Sequence, residues 1–393
     1  MDFFATTAKG MEELLARELT ELFERGSEKF PELKDAFVGK PTVAGVPFSG
    51  PIVAAYRACL WSRIANRILL PVHRFDCPTP EKLYGGVKSI RWGDHFTPRE
   101  TIAVDFQCTH SQITHSQFGA QKTKDAICDQ LRSVAGERPS VDLANPDIRI
   151  NVYLRNDEAS VSIDLSGSSL HARGYRDDQQ AAPLKENLAA AILMLGGWEG
   201  LMVEGNALVD PMCGSGTIPL EAAMMATHTA PGYFRKRWGF DRWKKHDTAI
   251  WNLLRKEADA ARILDPKRLP KIIGFDEDPR AITSARNNLE TSGLKGIVHF
   301  EKRELDLSEP PTGAAKGLFI VNPPYGERLG EEAELAPLYR RIGDAMKKRF
   351  KGWNGAVLTG SQPLSKEVGL RAERRHVLFN GAIECRLLTY DLY

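Results

Sequence analysis

The eight residues Asp210-Pro-Met-Cys-Gly-Ser-Gly-Thr217 constrain the fold of this chain more than any other stretch. Asn206-Ala-Leu-Val209 before them reads as a short buried strand, and Ile218–Ala226 after them as a helix. Pro219 is tolerated only in a first helical turn, so it marks where that helix begins. Gly214 and Gly216 let the backbone bend tightly and approach a ligand with no Cβ in the way. A turn of this kind at the carboxyl end of a strand is where open α/β sheets bind nucleotides. The spacing is not the dinucleotide Gly-x-Gly-x-x-Gly and no Gly-Lys-Ser/Thr follows, which argues against a phosphate cradle.

Three further strands follow. Lys271–Asp276 is apolar and ends in a carboxylate; Asp278 and Pro279 then fit the N-cap and first position of a helix running to about Ser292, with Gly293 as its stop. Because Asp278 fills the capping role, Asp276 is left for a ligand, and a carboxylate at a strand end suits ribose hydroxyls. Gly296–Phe300 is the next strand, after which Glu304 or Asp306 can reach an adenine amino group. Gly317–Val321 is the last of the four, and Asn322-Pro-Pro-Tyr325 closes it. A bare Asn-Pro-Pro is usually only a turn. Behind a strand, a glycine turn and an acidic strand end, it acquires a chemistry. An aromatic amine is a poor nucleophile because its lone pair is delocalised into the ring. The Asn322 carboxamide oxygen and the Pro323 carbonyl can accept hydrogen bonds from that amine, fixing its direction and favouring the charge that develops on it. The successive prolines Pro323 and Pro324 restrict the backbone, and Tyr325 offers a stacking face. The pattern therefore points to methyl transfer from S-adenosylmethionine to a planar exocyclic nitrogen, a reaction that needs neither a catalytic base nor a metal.

The chain resembles the bacterial THUMP-domain RNA methyltransferases, specifically the 23S rRNA guanine-N2 methyltransferase family. The likeness is densest across 181–205, with Ala182-Pro-Leu-Lys-Glu-Asn-Leu-Ala-Ala-Ala-Ile192, across the glycine turn, and across 322–329. Phe118-Gly-Ala-Gln-Lys-Thr-Lys-Asp-Ala-Ile127, Pro146-Asp-Ile-Arg-Ile-Asn-Val152 and Asp164-Leu-Ser-Gly-Ser-Ser-Leu-His-Ala-Arg-Gly-Tyr-Arg176 are similar to the family's THUMP signature. The resemblance covers essentially the whole chain. It departs at Glu304, where the family usually carries Asp. It implies an α/β protein: a carboxyl-terminal Rossmann-like class I methyltransferase domain over 177–393 with a mostly parallel seven-stranded sheet, a THUMP RNA-binding domain over 61–176 and a ferredoxin-like α/β unit over 1–60. It implies cofactor contacts at Asp210, Pro211, Cys213, Gly214, Ser215, Gly216, Thr217, Asp276 and Glu304 or Asp306, with Lys185 and Asn187 at the methionine end. It implies RNA contacts at Lys122, Lys124, Arg149, Arg173 and Arg176, S-adenosylhomocysteine as product, and 23S rRNA or a large-subunit assembly intermediate as partner. Some family enzymes are fused to a second methyltransferase, to which nothing in this sequence corresponds. Two rival functions share these residues: adenine-N6 methylation of RNA or DNA, and a non-catalytic RNA-binding ribosome-assembly factor. Glutamine methylation of a protein is a third option.

At 393 residues the chain has room for two or three domains, and its net charge of +2 does not by itself indicate nucleic acid. No apolar run approaches the roughly 20 residues of a membrane span, and the start lacks the pattern of a signal peptide. The six cysteines are scattered without Cys-x-x-Cys, which fits a reducing cytoplasm and neither disulfides nor zinc. His110, His115 and His171 have no metal-ligand spacing. Local charge is concentrated in Tyr233–His246, where Arg235, Lys236, Arg237, Arg242, Lys244 and Lys245 are interleaved with Phe234, Trp238, Phe240 and Trp243. Such a segment either neutralises phosphates and stacks bases, with Arg235, Lys236, Arg237 and Trp238 as contacts, or is a loop pinned by buried tryptophans. In the front half the pattern predicts helices over Gly10–Arg25, Tyr56–Leu70 and Lys122–Ala135. It predicts strands near Val43 and over Thr101–Gln107, and a hairpin of Ile148–Leu154 with Ala159–Asp164 turning at Asn156-Asp157. The Pro183–Leu195 helix leads into the second half, whose late strands are Gly355–Thr359 and Glu384–Tyr390.

Overall fold

The computed structural model describes residues 1–176, 184–325 and 331–393. They form two compact units, the first comprising Met1–Thr7, Leu15–Leu170 and Arg235–Leu254, the second Ala8–Leu14, His171–Phe234 and Arg255–Tyr393. In chain order the front half contains β1 (Asp2–Thr6), α1 (Glu12–Gly26), β2 (Phe37–Val38), β3 (Gly45–Ser49), α2 (Ile52–Trp61), β4 (Arg67–Asp76), α3 (Pro80–Lys88), β5 (Ile102–Thr109), α4 (Ser116–Ala135), β6 (Ile148–Arg155) and β7 (Glu158–Asp164).

The first unit is built on one sheet of order β2-β3-β1-β4-β7-β6-β5, which runs without a break through residues expected to form two domains. The β6–β7 hairpin turns at Asn156 (φ 50°) and Asp157 (φ 59°), the paired left-handed conformation that a two-residue hairpin turn requires. The helix expected over Tyr56–Leu70 ends instead at Trp61. The buried Glu18 carboxylate receives the Ser62 hydroxyl (2.6 Å) and the Arg63 amide (2.7 Å) there, and Leu69 and Ile68 pair with Phe4 and Ala5 of β1. A continuous apolar run does not distinguish a helix from a doubly buried strand by its period; pairing decides it.

From Arg235 on, the basic, aromatic segment belongs to this unit, and here the structure corrects the expectation of RNA contact for Arg235 and Trp238. Trp238, Phe240 and Trp243 are buried, with Trp238 stacked on Phe240 at 5.7 Å, so no indole face is open to a base. Arg235 is buried and donates to the carbonyls of Ser166, Ser168 and Ser169 and to the Ser168 hydroxyl at 2.9–3.0 Å. It pins the loop after β7 and is spent on doing so. Lys236 and Arg237 are exposed; Arg237 lies 3.5 Å from Asp147. The expected effect of Arg235→Ala is therefore on stability, a loss of roughly 3 kcal/mol or more, since buried carbonyls lose a charged donor. Urea denaturation measures it, and an unchanged midpoint would contradict the assignment.

The second unit continues with α5 (Glu186–Leu195), α6 (Trp198–Val203), β8 (Ala207–Asp210), α7 (Thr217–Ala226), the end of α8 (Thr248–Ala260) from Arg255 on, β9 (Ile272–Asp276), α9 (Pro279–Thr291), β10 (Val298–Lys302), β11 (Gly317–Val321), α10 (Glu331–Arg349), β12 (Asn354–Thr359), α11 (Gln362–Glu367), β13 (Arg374–Asn380) and β14 (Ile383–Asp391). Its seven strands are ordered β10-β9-β8-β11-β12-β14-β13. The first five run parallel, and β14 is antiparallel to both neighbours. Asp278 caps α9 as expected, its side chain accepting from the Arg280 amide at 2.8 Å. The start expected for α5 at Pro183 lies outside the described residues. Strand β13 has no counterpart in the sequence reading; it is a mostly exposed edge whose Arg374-Arg375-His376 start resembles a loop.

Candidate active site

Register places the predicted polar residues in one row. Asp210 pairs with Gly274 of β9, and Val209 pairs with Phe319 of β11, so β8 ends between the tips of β9 and β11. Asp276 therefore lies to one side of the glycine turn and Asn322 to the other, all at the carboxyl edge of a parallel sheet.

The turn itself is tightly specified. Cys213 donates its amide to the Phe275 carbonyl at 2.8 Å and Gly216 to Cys213 at 2.8 Å. Gly216 has φ 84°, and a Cβ there would come within 2.6 Å of the Phe300 ring. Gly214 has φ 54°, but a Cβ there would meet nothing within 4 Å, so the space beside it is open. Pro211 and Cys213 are enclosed; burial pushes the Cys213 thiol well above its usual range, with Asp210 and Asp276 adding to the effect, so it packs rather than reacts. The Ser215 carbonyl accepts from Asn288 at 3.0 Å. Asp276 is half-buried, and its two oxygens accept the amides of Gly214 (2.9 Å) and Asp278 (3.0 Å). It is less idle than expected, yet each oxygen keeps a second lone pair for a hydroxyl donor.

The two competing acids separate. Asp306 is ion-paired to Arg341 at 2.8 Å, whereas Glu304 is exposed and lines an open cleft with Glu277, Arg303 and Leu307. Lys185 is exposed at the N-cap of α5, and Asn187 is buried in its first turn.

Asn322 follows β11 directly. Its carboxamide oxygen is buried and has no hydrogen-bond partner among the described residues. Buried acceptors are seldom left so. Pro323 is buried, Pro324 is exposed, and Tyr325 is half-buried. Residues 326–330, the rest of that segment, lie outside the described residues.

Several expected RNA contacts are committed elsewhere. Arg173 and Glu221 form a wholly enclosed ion pair at 3.3 Å. Arg176 is turned inward, donating to the Thr217 hydroxyl (2.5 Å) and the Leu184 carbonyl (3.2 Å). It therefore fastens the first residue of α7, beside the glycine turn, a role the sequence reading missed. In the first unit Arg149 is paired with Asp105 at 3.0 Å and only 14% exposed. Lys122 lies over the Tyr84 ring, and Lys124 reaches Asp125 at 2.8 Å; both are half-buried.

A glycine turn, an acidic strand end and an Asn-Pro-Pro-Tyr loop on this sheet define the class I methyltransferase fold. A profile described as "RMKL-like, methyltransferase domain" matches residues 173–389, and the chain belongs to that family. Profiles described as "THUMP domain" and "RlmL ferredoxin-like domain" match 77–164 and 32–69. The chain is 50% identical over 391 residues to a Methylococcus capsulatus protein named ribosomal RNA large subunit methyltransferase K/L, covering 100% of this chain and 51% of that protein. A Syntrophotalea carbinolica protein of the same name is 46% identical, covering 99% and 53%. The chain thus spans about half the length of the curated relatives it matches. Among solved structures, SMU.472 complexed with SAH superposes with a TM-score of 0.84 at 31% identity, covering 100% of this chain and 98% of that one. A Listeria monocytogenes protein described as a predicted N6-adenine-specific DNA methylase gives 0.83 at 28% identity, covering 100% and 96%.

Asp210 carries a pH-dependent prediction. Burial, reinforced by the nearby Asp276 charge, pushes its carboxyl well above the ordinary aspartate value of 3.8, against one opposing bond from the Met212 amide at 3.1 Å. A raised folded-state pKa favours folding below the unfolded value, and that contribution is lost as pH rises towards the folded one. Asp210→Asn keeps an acceptor for Met212 and removes the charge. The variant should melt above the wild type at neutral pH, with the gap closing as pH falls to the ordinary aspartate range. Calorimetry checks it; a gap that widens on acidification contradicts it.

Proposed function

We propose that this protein transfers a methyl group from S-adenosylmethionine to the exocyclic N2 amine of a guanine in 23S rRNA, acting in the bacterial cytoplasm on the RNA or on a large-subunit assembly intermediate. The observation that carries the reading is the buried oxygen of Asn322, without a partner among the described residues, one strand away from the open space at Gly214.

The residues present fit the cofactor. The open side of Gly214 admits a ligand against the backbone, Asp276 has lone pairs for ribose hydroxyls, and the exposed Glu304 is free to meet the adenine amino group, while the family resemblance assigns Lys185 and Asn187 to the methionine end. When bound, S-adenosylmethionine supplies an activated methyl group, and S-adenosylhomocysteine remains after transfer. The chain's own work is orientation. A base flipped out of its stack is needed, because an amine inside a helix cannot reach the site. The Asn322 oxygen and the Pro323 carbonyl accept hydrogen bonds from the amine, hold its lone pair towards the electrophilic carbon and favour the positive charge that develops. Pro323 and Pro324 keep the carbonyl in place, and Tyr325 stacks the base. The proton is then lost to solvent, so no side chain has to act as base. The exposed Lys236 and Arg237, with Lys122 and Lys124, are the RNA contacts in this reading.

Guanine rather than adenine rests on the resemblance to the guanine-N2 family; the name of the curated relatives supports large-subunit ribosomal RNA as the substrate. Adenine-N6 transfer is the second reading, favoured by the description of the Listeria neighbour, because two carbonyl acceptors recognise an amine and not a ring. Nucleoside mass spectrometry of RNA methylated by the purified protein separates them: N2-methylguanosine is expected, and N6-methyladenosine would overturn the assignment. Asn322→Ala should lower kcat by 10²-fold or more, roughly the cost of deleting one preorganised polar contact. Its affinity for S-adenosylmethionine, read by calorimetry, should stay within about twofold. Equal loss of both would contradict the role given to Asn322.

A further inference from the structure

The antiparallel hairpin at the edge of the second sheet has no part in the reading so far, yet its tip touches the catalytic loop. Asn380, the last residue of β13, donates its side-chain amide to the Tyr325 hydroxyl at 2.9 Å. Along one edge of the ring, Tyr325 lies against Gly360, just beyond β12, where a Cβ would come within 2.8 Å of that edge. The hairpin is itself braced: the Gly10 backbone packs on Val377, and the Lys9 ammonium lies 4.8 Å from the centre of the Phe379 ring. Cys385, buried in β14, has its thiol pushed up chiefly by burial, with Tyr325 among the groups that hold it down, so the hydroxyl is surrounded on the hairpin side.

From this we infer that Asn380 is a positioning residue for the methylated base, acting through Tyr325; the inference rests on the function proposed above. A tyrosine ring that both rotates and tilts must be immobilised whenever a base stacks on it, and the cost falls on the productive complex. Pinning the hydroxyl and seating the ring on a glycine removes that cost beforehand. It also fixes the plane of the base, which sets whether the amine points along the line of attack. The hairpin therefore acts as a brace that makes the stacking surface rigid, and its remoteness in sequence, 55 residues from Tyr325, explains why no motif contains it.

The test uses the full chain with 23S rRNA transcript as methyl acceptor. Asn380→Leu removes the donor at similar volume, and kcat should fall about tenfold, the upper range for releasing one side chain. The affinity for S-adenosylmethionine and the melting temperature should stay close to wild type. Tyr325→Phe, which also gives up the Cys385 contact, should lose at least as much, and the double variant should fall no further than Tyr325→Phe alone. Asn380→Asp, which can accept the tyrosine proton instead, should restore most of the rate. An unchanged kcat in Asn380→Leu, or multiplicative losses in the double variant, would overturn the inference. Fluorotyrosine placed at position 325 reads the brace without turnover: its ¹⁹F resonance should change on Asn380→Leu, and an identical spectrum would overturn the inference even if the rate fell. Should the wild type transfer no methyl group while that resonance responds, the function proposed above fails and the contact between Asn380 and Tyr325 stands.

Discussion

Everything at this site depends on the parallel register of three strands. Because β8 lies between β9 and β11, the glycine turn is flanked by Asp276 on one side and Asn322 on the other. No loop has to search for this arrangement, since the hydrogen-bond ladder and the apolar packing beneath it fix it. Phe319, Val321, Val209 and Phe275 belong to one buried cluster, together with Trp353 and Tyr390, and this cluster holds the strand ends level. A polar site is thus carried on strand ends packed over a buried core.

The cost of the site is visible in what is left unsatisfied. Asn322 presents a buried oxygen with no partner among the described residues, and such a group typically costs about 1–3 kcal/mol until a donor arrives. Asp210 is buried beside a second carboxylate. The ground state holds these groups ready, and a bound amine can satisfy the first of them. The surrounding side chains, by contrast, have protein partners: Arg176 on Thr217, Asn288 on Ser215, Arg173 on Glu221.

Much of this was legible in the sequence because it is local. The strand–turn–helix around Gly214, the capping of α9 by Asp278 and the Asn156-Asp157 hairpin each need only a few consecutive residues, and each is found as read. What stayed hidden depends on partners distant in sequence. Ile68–Leu70 follow a helical pattern but join a sheet, since β1 and β7 supply their partners. Trp238 and Arg235 look like a nucleic-acid surface in composition, yet the rings fill a core and the guanidinium caps a serine loop 66 to 69 residues away. Arg173 looks like a surface cation until Glu221, 48 residues on, is placed against it. Asp306 and Glu304 are equivalent by spacing and become different only when Arg341 claims the first. Charge alone does not say which cations face water.

The central claim is geometric, and a crystal structure of the protein with S-adenosylhomocysteine and a short RNA carrying the target guanine tests it most directly. The guanine N2 should lie within roughly 2.7–3.2 Å of the Asn322 oxygen, with the cofactor sulfur facing the amine across the open side of Gly214. An Asn322 side chain turned to a protein partner, or a cofactor bound away from that turn, would contradict it.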